Sequence, residues 1–294
     1  MCAAFAALYG VDPALVTAGN GSDELISLIM STMLQKGERV LTVSPDFSMY
    51  AFYTAITENP CLTLEKDADL RIDVQQVIDT IRRENVRLFI FSNPCNPTSV
   101  GLERAEVRRL LRETDALIVL DEAYMDFWDQ SLLDEVAEYD NLIILRTCSK
   151  ALGLAALRLG FAVANERLTG ILRAAKSPYN VNAVTQAMAA VVLQNPLYHT
   201  VYRDLLLISR DQLLAGMKAL EQDGLIERVY DSRTNFVLLD VAGAAEIATK
   251  FAARGTAIRR FGDKRLRIST GTQADNNEVL ALLRFLLTER KNRG

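Results

Sequence analysis

The sequence predicts an α/β protein with a mainly parallel, mixed sheet covered by helices, followed by a smaller α+β domain. Three observations predict this fold. Short apolar runs alternate with helical patterns, the runs contain few polar residues, and the rhythm changes after Pro196. Unbroken runs of β-forming residues are typical of strands that are buried on both faces of a sheet. Their alternation with amphipathic helices is typical of layered α/β domains.

The first predicted domain comprises residues 1–195. Its apolar start, residues 1–8, lacks the cationic region of a signal peptide and is interpreted as part of a helix. Five apolar runs are predicted as strands: 40–43, 88–91, 117–120, 142–145 and 159–163. Four stretches with helical periodicity lie between them: 24–35, 73–84, 103–114 and 131–138.

The second predicted domain comprises residues 196–294. It begins with a long helix rich in leucine and exposed charges, and continues as a mixture of short strands and helices. The predicted elements are a helix over 197–222, a strand over 235–241, a helix over 244–254, a strand pair near 256–259 and 265–269, and a final helix to about residue 290.

Composition and charge exclude several classes of function. The chain of 294 residues is 50% hydrophobic with a net charge of −4, so it has material for a large core and no basic footprint for nucleic acid or an anionic membrane. No 18-residue apolar stretch is free of charge, which argues against a membrane span. The four cysteines have neither zinc nor disulfide-framework spacing, which favours a reducing, cytoplasmic compartment. The single histidine, His199, excludes a multi-histidine metal centre and is assigned a packing or surface role.

A lysine, Lys150, follows one of the predicted strands directly. The small and apolar residues after it leave the ammonium with few solvating neighbours, and desolvation lowers the pKa of a lysine and makes its amine nucleophilic. Arg158, eight residues later, is placed to bind an anion together with the hydroxyls of Thr147 and Ser149. A Ser-Lys pair by itself is more often a solvent-exposed pair in a surface loop, and this is the alternative interpretation of Lys150.

Two further strands are followed by polar residues. Asp121 and Tyr124 come after 117–120, and Asn96 lies between two prolines after 88–91. Ligands of open α/β sheets bind at the carboxyl ends of the strands. There a carboxylate pairs with a protonated ring nitrogen, and a phenol or an amide binds a ligand oxygen. The alternatives are a helix-capping aspartate and a purely structural turn.

The segment GNGSDE, residues 19–24, opens an amphipathic helix. The unpaired amides of its first turn, with the Ser22 hydroxyl, form a phosphate site, although an N-cap without a ligand is common. The spacing is neither a Walker loop nor a dinucleotide fingerprint, so ATP and NAD are not indicated. Together with the lysine, carboxylate, phenol and amide, this site supplies what a pyridine-ring phosphate cofactor needs.

With these residues in place, the sequence resembles the class II pyridoxal-phosphate aminotransferases of fold type I, and among them the histidinol-phosphate aminotransferases. The motifs that carry the resemblance are RTCSKALGLAALRLG (146–160), GNGSDE, NPCNPT, DEAYMDF, SPYNVN and LRISTGT. Threonine-phosphate decarboxylases and some aromatic aminotransferases share most of these motifs. Decarboxylation of a phosphorylated amino acid, aromatic amino transfer, and cofactor binding with little turnover therefore stay open as alternatives.

The resemblance implies a role for each candidate residue. Lys150 is implied to form the Schiff base with pyridoxal 5'-phosphate and to carry the proton of the substrate Cα. Asp121 is implied to pair with the pyridine nitrogen, and Asn96 and Tyr124 to bind the phenolic oxygen. Phe47 is implied to stack on the ring. The implied phosphate ligands are Ser22, Asp23, Ser149 and Arg158, with Thr147 assisting.

The resemblance also implies substrates and partners. Arg267 is implied to clamp the substrate α-carboxylate and Arg259 to be the second arginine near it, whereas Arg260 is a solvated residue. The implied reaction is a ping-pong transfer between glutamate or 2-oxoglutarate and histidinol phosphate or imidazole acetol phosphate, in a homodimer. Family members carry roughly fifty further residues before the segment that matches Met1. These are expected to complete the small domain, cover the site and contribute a tyrosine to the neighbouring subunit's phosphate site.

Overall fold

The computed structural model describes residues 1–293 and contains two compact units. The first comprises Met1–Asn96 and Gly101–Val201, and the second comprises Pro97–Val100 and the chain from Tyr202 onward. The domain division at residues 195 and 196 stays a prediction, because compactness does not show which segments fold independently.

The first unit is built on a seven-stranded sheet. Its strands are β1 (Val16–Gly19), β2 (Arg39–Ser44), β3 (Cys61–Glu65), β4 (Val86–Ser92), β5 (Leu117–Asp121), β6 (Leu142–Thr147) and β7 (Gly160–Ala164). They lie in the order β1-β7-β6-β5-β4-β2-β3. The five strands from β3 to β6 in this order pair in parallel, whereas β7 and β1 run antiparallel to their neighbours. The predicted mainly parallel, mixed sheet is confirmed.

Helices cover this sheet. They are α1 (Cys2–Tyr9), α2 (Gly21–Met33), α3 (Met49–Ile56), α4 (Val74–Glu84), α5 (Arg104–Glu113), α6 (Glu166–Ala175) and α7 (Ala183–Leu193). Successive residues of β6 enter different cores. Leu142 and Ile144 pack in the cluster that holds residues of α1, α4 and α5, whereas Ile143 and Leu145 pack with residues of α2 and α6. A strand with a core on each face needs an unbroken apolar run, which is the pattern that the sequence shows.

One predicted helix has a different form. The stretch 131–138 forms a 3-10 helix, Leu133–Glu138, and not an α-helix. The backbone N–H of Glu135 donates to the carbonyl of Leu132 at 3.0 Å, which closes the tighter turn. A stretch this short gains few α-helical hydrogen bonds, so side-chain contacts decide its form.

The second unit contains a four-stranded antiparallel sheet and three helices. In chain order its elements are α8 (Pro196–Gln222), whose start belongs to the first unit, β8 (Arg228–Val229), β9 (Phe236–Asp240), α9 (Ala244–Ala252), β10 (Arg259–Phe261), β11 (Arg265–Ser269) and α10 (Gln273–Arg293). The strand order is β10-β11-β9-β8. The predicted strand 256–259 therefore begins three residues later than expected. Among residues 1–293, no helix is both long enough and apolar enough to cross a membrane.

Candidate active site

One pocket in the first unit is lined by all ten residues that the sequence assigns to a cofactor. They are Ser22, Asp23, Phe47, Asn96, Asp121, Tyr124, Thr147, Ser149, Lys150 and Arg158. The structure adds four lining residues to which the sequence assigned no individual role: Gly21, Ser92, Ala123 and Ala155. Residues separated by more than a hundred positions thus meet in one place.

Parallel strand pairing explains this convergence. Ser92, at the end of β4, is the register partner of Asp121, at the end of β5, and Asp121 is in turn the partner of Leu145 in β6. The polar residues that follow these strands therefore leave the sheet at the same edge. Thr147, the last residue of β6, is paired with Gly160 of β7.

Asp121 is buried at the base of the pocket. Its Oδ1 accepts a hydrogen bond from the backbone N–H of Ala123 at 3.1 Å, and its Oδ2 accepts one from the hydroxyl of Tyr50 at 2.8 Å. Burial raises the pKa of the Asp121 carboxyl to about 6, and these two hydrogen bonds oppose that rise. Sequence reasoning missed Tyr50, although its position three residues after Phe47 was a usable signal.

Lys150 and Tyr124 each lie three residues after the end of a strand, β6 and β5, and these two strands are neighbours in the sheet. The Lys150 side chain is half-buried, and its Nζ lies 5.3 Å from the centroid of the Tyr124 ring, which is itself buried. The lysine begins a turn in which the N–H of Gly153 donates to its carbonyl at 3.1 Å. The turn presents the amine to the pocket beside a phenol.

The first turn of α2 and Arg158 line one side of the pocket. Helix α2 begins at Gly21, whose φ of 78° lies in the left-handed region, and unpaired amides follow it. Arg158 is exposed, and its Nη2 lies 3.3 Å from Asp23 Oδ2. Gly160 of β7 packs directly on this turn, since a Cβ there would lie 2.5 Å from Gly21 C and from Ser22 N. Such a helix start is a ready anion site.

A buried aspartate ties together the loops that carry Phe47 and Asn96. Asp46 accepts hydrogen bonds from the hydroxyl and the N–H of Ser92, and the N–H of Asn96 donates to that hydroxyl at 3.1 Å. Lys66, whose side chain is also buried, lies 3.9 Å from Asp46. Sequence reasoning missed this pair because nothing local marks either residue.

A charged network lies beside the pocket residues. Arg146 contacts Glu122 at 3.1 Å and Asp126 at 3.0 Å, and His199 lies 3.3 Å from Asp126. Burial raises the pKa of Glu122 to about 7, with Arg146 opposing the rise. At Asp126 burial opposes ionisation, but the charge of Arg146 and the contacts of His199 and Tyr9 together outweigh it, and the pKa lies below its ordinary value. His199 is buried in this network and outside the pocket lining, so of the two predicted roles, packing or surface, the structure shows packing.

The two predicted substrate arginines meet in the second unit. Arg259 and Arg267 are register partners in β10 and β11, so their side chains share one face. The Arg267 guanidinium lies 4.8 Å from the centroid of the Phe236 ring. Arg260, on the opposite face, is exposed and pairs with Asp263 at 3.2 Å.

Comparison with known proteins decides the family. The Aminotransferase class I and II family profile matches residues 1–283. The chain belongs to this family. A histidinol-phosphate aminotransferase of Clostridium novyi is 38% identical over 281 residues, which cover 94% of this chain and 78% of that protein.

Solved structures agree on the aminotransferase fold. The histidinol-phosphate aminotransferase of Clostridium acetobutylicum matches with a TM-score of 0.89 at 21% identity, covering 98% of this chain and 88% of that one. That of Sinorhizobium meliloti, solved in complex with pyridoxal-5'-phosphate, matches with a TM-score of 0.86 at 24% identity, covering 97% and 81%. The predicted fold type I architecture, aminotransferase activity and pyridoxal-phosphate cofactor are confirmed.

The pocket of this aminotransferase fits that cofactor chemically. The start of α2, Ser22 and Arg158 provide donors and positive charge for a phosphate. Asp121 provides a buried carboxylate for a ring nitrogen, and Lys150 provides an amine for an aldehyde. Aromatic and amide groups complete the set, so no cofactor atom type lacks a matching group among these residues.

Proposed function

We propose that this aminotransferase exchanges the amino group between histidinol phosphate and 2-oxoglutarate, as a step of histidine biosynthesis. The observation that carries the proposal is a pocket with the complete predicted residue set, in a chain whose relatives at 31–38% identity are named histidinol-phosphate aminotransferases. The reaction is ping-pong: the amino donor leaves as an oxo product before the acceptor binds. Glutamate with imidazole acetol phosphate is the reverse pair.

Lys150 is the proton carrier in this proposal. Pyridoxal phosphate, when bound, supplies a ring that withdraws electrons from the substrate Cα. The Lys150 amine would take the proton from that Cα and return it on the cofactor side of the C–N bond. Water would then release the oxo product and leave the amino group on the cofactor. Asp121 carries the negative charge that keeps the ring nitrogen protonated.

The remaining pocket residues orient the reactants. Asn96 and Tyr124 bind the ring oxygen by hydrogen bonds, and Phe47 covers the ring face and excludes water. The hydroxyls of Ser22, Ser149 and Thr147, the backbone N–H groups of the first turn of α2, and Arg158 would hold the phosphate. The Asp23 carboxylate would orient Arg158, with which it pairs. A cofactor anchored at its phosphate would leave its aldehyde available to Lys150, which lines the same pocket.

Arg267 is proposed to bind the α-carboxylate of glutamate through two parallel hydrogen bonds, with Arg259 as its partner. Lysine cannot make the forked contact, so we expect Arg267→Lys to raise the KM for glutamate about tenfold or more. Steady-state kinetics with varied glutamate measures this. The matched control is Arg260→Lys on the opposite face of the same strand pair, which should leave the KM within about twofold. Equal effects of the two variants would contradict the role of Arg267.

A homodimer in the cytoplasm is proposed as the working form. Helix α7 presents Val184, Met188 and Val191 on one face with exposed fractions of 67%, 51% and 72%, and an apolar face of this kind is typical of a protein interface. The four cysteines are free thiols, which supports a reducing compartment.

The proposed function is tested by incubating the protein and pyridoxal phosphate with histidinol phosphate and 2-oxoglutarate. We expect glutamate to form in amounts equal to the oxo product, with parallel-line kinetics. Phenylalanine and threonine phosphate serve as competing substrates. Glutamate from phenylalanine but not from histidinol phosphate would assign an aromatic aminotransferase instead, and carbon dioxide release from threonine phosphate without glutamate would assign a decarboxylase.

A further inference from the structure

We infer that Tyr50 is a positioning residue for the reaction: its hydroxyl holds Asp121 ionised and fixed in the orientation that meets the cofactor ring. Tyr50 lies in α3 and is not among the residues that line the pocket. It therefore acts through Asp121 and not by touching the cofactor. The inference rests on pyridoxal phosphate being the ligand of the pocket.

The geometry leaves Asp121 little freedom. Each of its oxygens accepts one hydrogen bond, Oδ2 from the Tyr50 hydroxyl at 2.8 Å and Oδ1 from the Ala123 N–H at 3.1 Å. Rotation of the carboxylate would break both bonds. Each oxygen keeps a further lone pair, so a ligand N–H can still be bound. Tyr50 is 1% exposed and packs edge-on against Phe47, with ring centroids 5.6 Å apart, so its own position is fixed as well.

The hydrogen bond from Tyr50 affects the charge state of Asp121. Burial raises the pKa of Tyr50 well above its ordinary value, and Asp121 and Asp46 raise it further, so the phenol stays a neutral donor at every working pH. Burial, Asp46 and Asp23 all favour the protonated form of Asp121, and the Tyr50 hydroxyl opposes them.

The other charged groups around Asp121 belong to the pocket and its loops. Lys150 and Arg158 line the same pocket, and Lys66 pairs with Asp46. None of these three cations is a hydrogen-bond partner of the carboxylate, whose described partners are Tyr50 and Ala123. The donation from Tyr50 is thus the side-chain contact that most directly keeps Asp121 negative.

The test measures the dissociation constant of pyridoxal phosphate from about pH 5 to about pH 9 for the unchanged protein and for Tyr50→Phe. Asp121 must ionise to bind a protonated ring nitrogen, so the affinity for pyridoxal phosphate should decrease at pH values below the pKa of Asp121. With Tyr50 in place this pKa is about 6, which sets the midpoint of the decrease. Without the hydroxyl we expect this midpoint to move up by about one to two pH units. At pH 7 the affinity should then fall about two- to tenfold.

A second measurement follows the ionisation of Asp121 in the protein without cofactor. The carboxyl-carbon chemical shift of Asp121, assigned with Asp121→Asn, should titrate at a higher pH in Tyr50→Phe. The control is Tyr139→Phe, which removes a hydroxyl that donates to Glu135 at 3.3 Å, outside the pocket lining, and should change neither readout. If Tyr50→Phe is insoluble, fluorotyrosine is placed at position 50 instead. It should move the midpoint of the affinity decrease to a lower pH, because a more acidic phenol donates a stronger hydrogen bond.

The outcomes separate this inference from the proposed function. An affinity loss in Tyr50→Phe that is equal at every pH would show a purely structural role and overturn the inference. An unchanged midpoint of the pH dependence would also overturn it. If the unchanged protein binds no pyridoxal phosphate, the proposed function fails, and the carbon titration alone decides the influence of Tyr50 on Asp121.

Discussion

Lys150→Ala is expected to abolish amino transfer, lowering kcat by more than about a thousandfold, while the protein keeps its fold. The amine at this position carries the proton between substrate and cofactor in the proposed mechanism, and no other lysine lines the pocket. The lost contact with the Tyr124 ring is worth only about 1 kcal/mol. Glutamate production measures turnover, and thermal unfolding measures the fold.

Mapping the covalent adduct with pyridoxal phosphate tests directly whether Lys150 is the residue that reacts. Borohydride reduction of the unchanged protein with pyridoxal phosphate should leave the adduct on the peptide that holds residue 150, and Lys150→Ala should leave none there. Lys36→Ala serves as the control, since the Lys36 side chain is 73% exposed and pairs with Glu58 at the surface. Retained turnover in Lys150→Ala, or an adduct on Lys66, would overturn the assignment.

Gly160→Ala is expected to damage the phosphate side of the pocket severely. The new Cβ would lie 2.5 Å from two backbone atoms of the α2 start, and backbone cannot rotate away as a flexible side chain can. Either β7 or the first turn of α2 must therefore move. We expect a loss of about 2–3 kcal/mol in the free energy of unfolding. The affinity for pyridoxal phosphate should fall about tenfold or more, because the anion-binding amides are displaced.

The same substitution elsewhere gives a matched control. Gly170 lies in α6, and a Cβ added there would meet no atom within 4 Å. Gly170→Ala should stabilise the protein by about 0.5–1 kcal/mol through helix propensity, with unchanged cofactor affinity. Chemical denaturation and cofactor titration of both variants test the pair. Normal cofactor binding by Gly160→Ala would show that the close packing of β7 on α2 is not needed for the phosphate site.

Most elements with a strong local pattern were predicted, although the amphipathic helix α6 was not. The central strands β4, β5 and β6 are unbroken apolar runs because each packs on both faces. By contrast, the edge strand β3 has only five residues and no unbroken apolar run, because none of its residues is fully buried, and sequence reasoning passed over it. Helix α3 is rich in aromatic and β-branched residues, which have weak helix propensity, and α7 is apolar on more than one face.

The local pattern was enough to identify the chemistry of the site: a lysine, a carboxylate, a phenol and an amide each follow a strand that this pattern marks, and the glycine-rich start of α2 supplies an anion site. Their types and their positions after strands suffice, because parallel strands bring their carboxyl ends to one edge. The surroundings of these groups depend on the folded chain, as with Tyr50 on Asp121, Lys66 beside Asp46, and Gly160 against the α2 start. Such contacts join residues far apart in the chain, and no local periodicity encodes them.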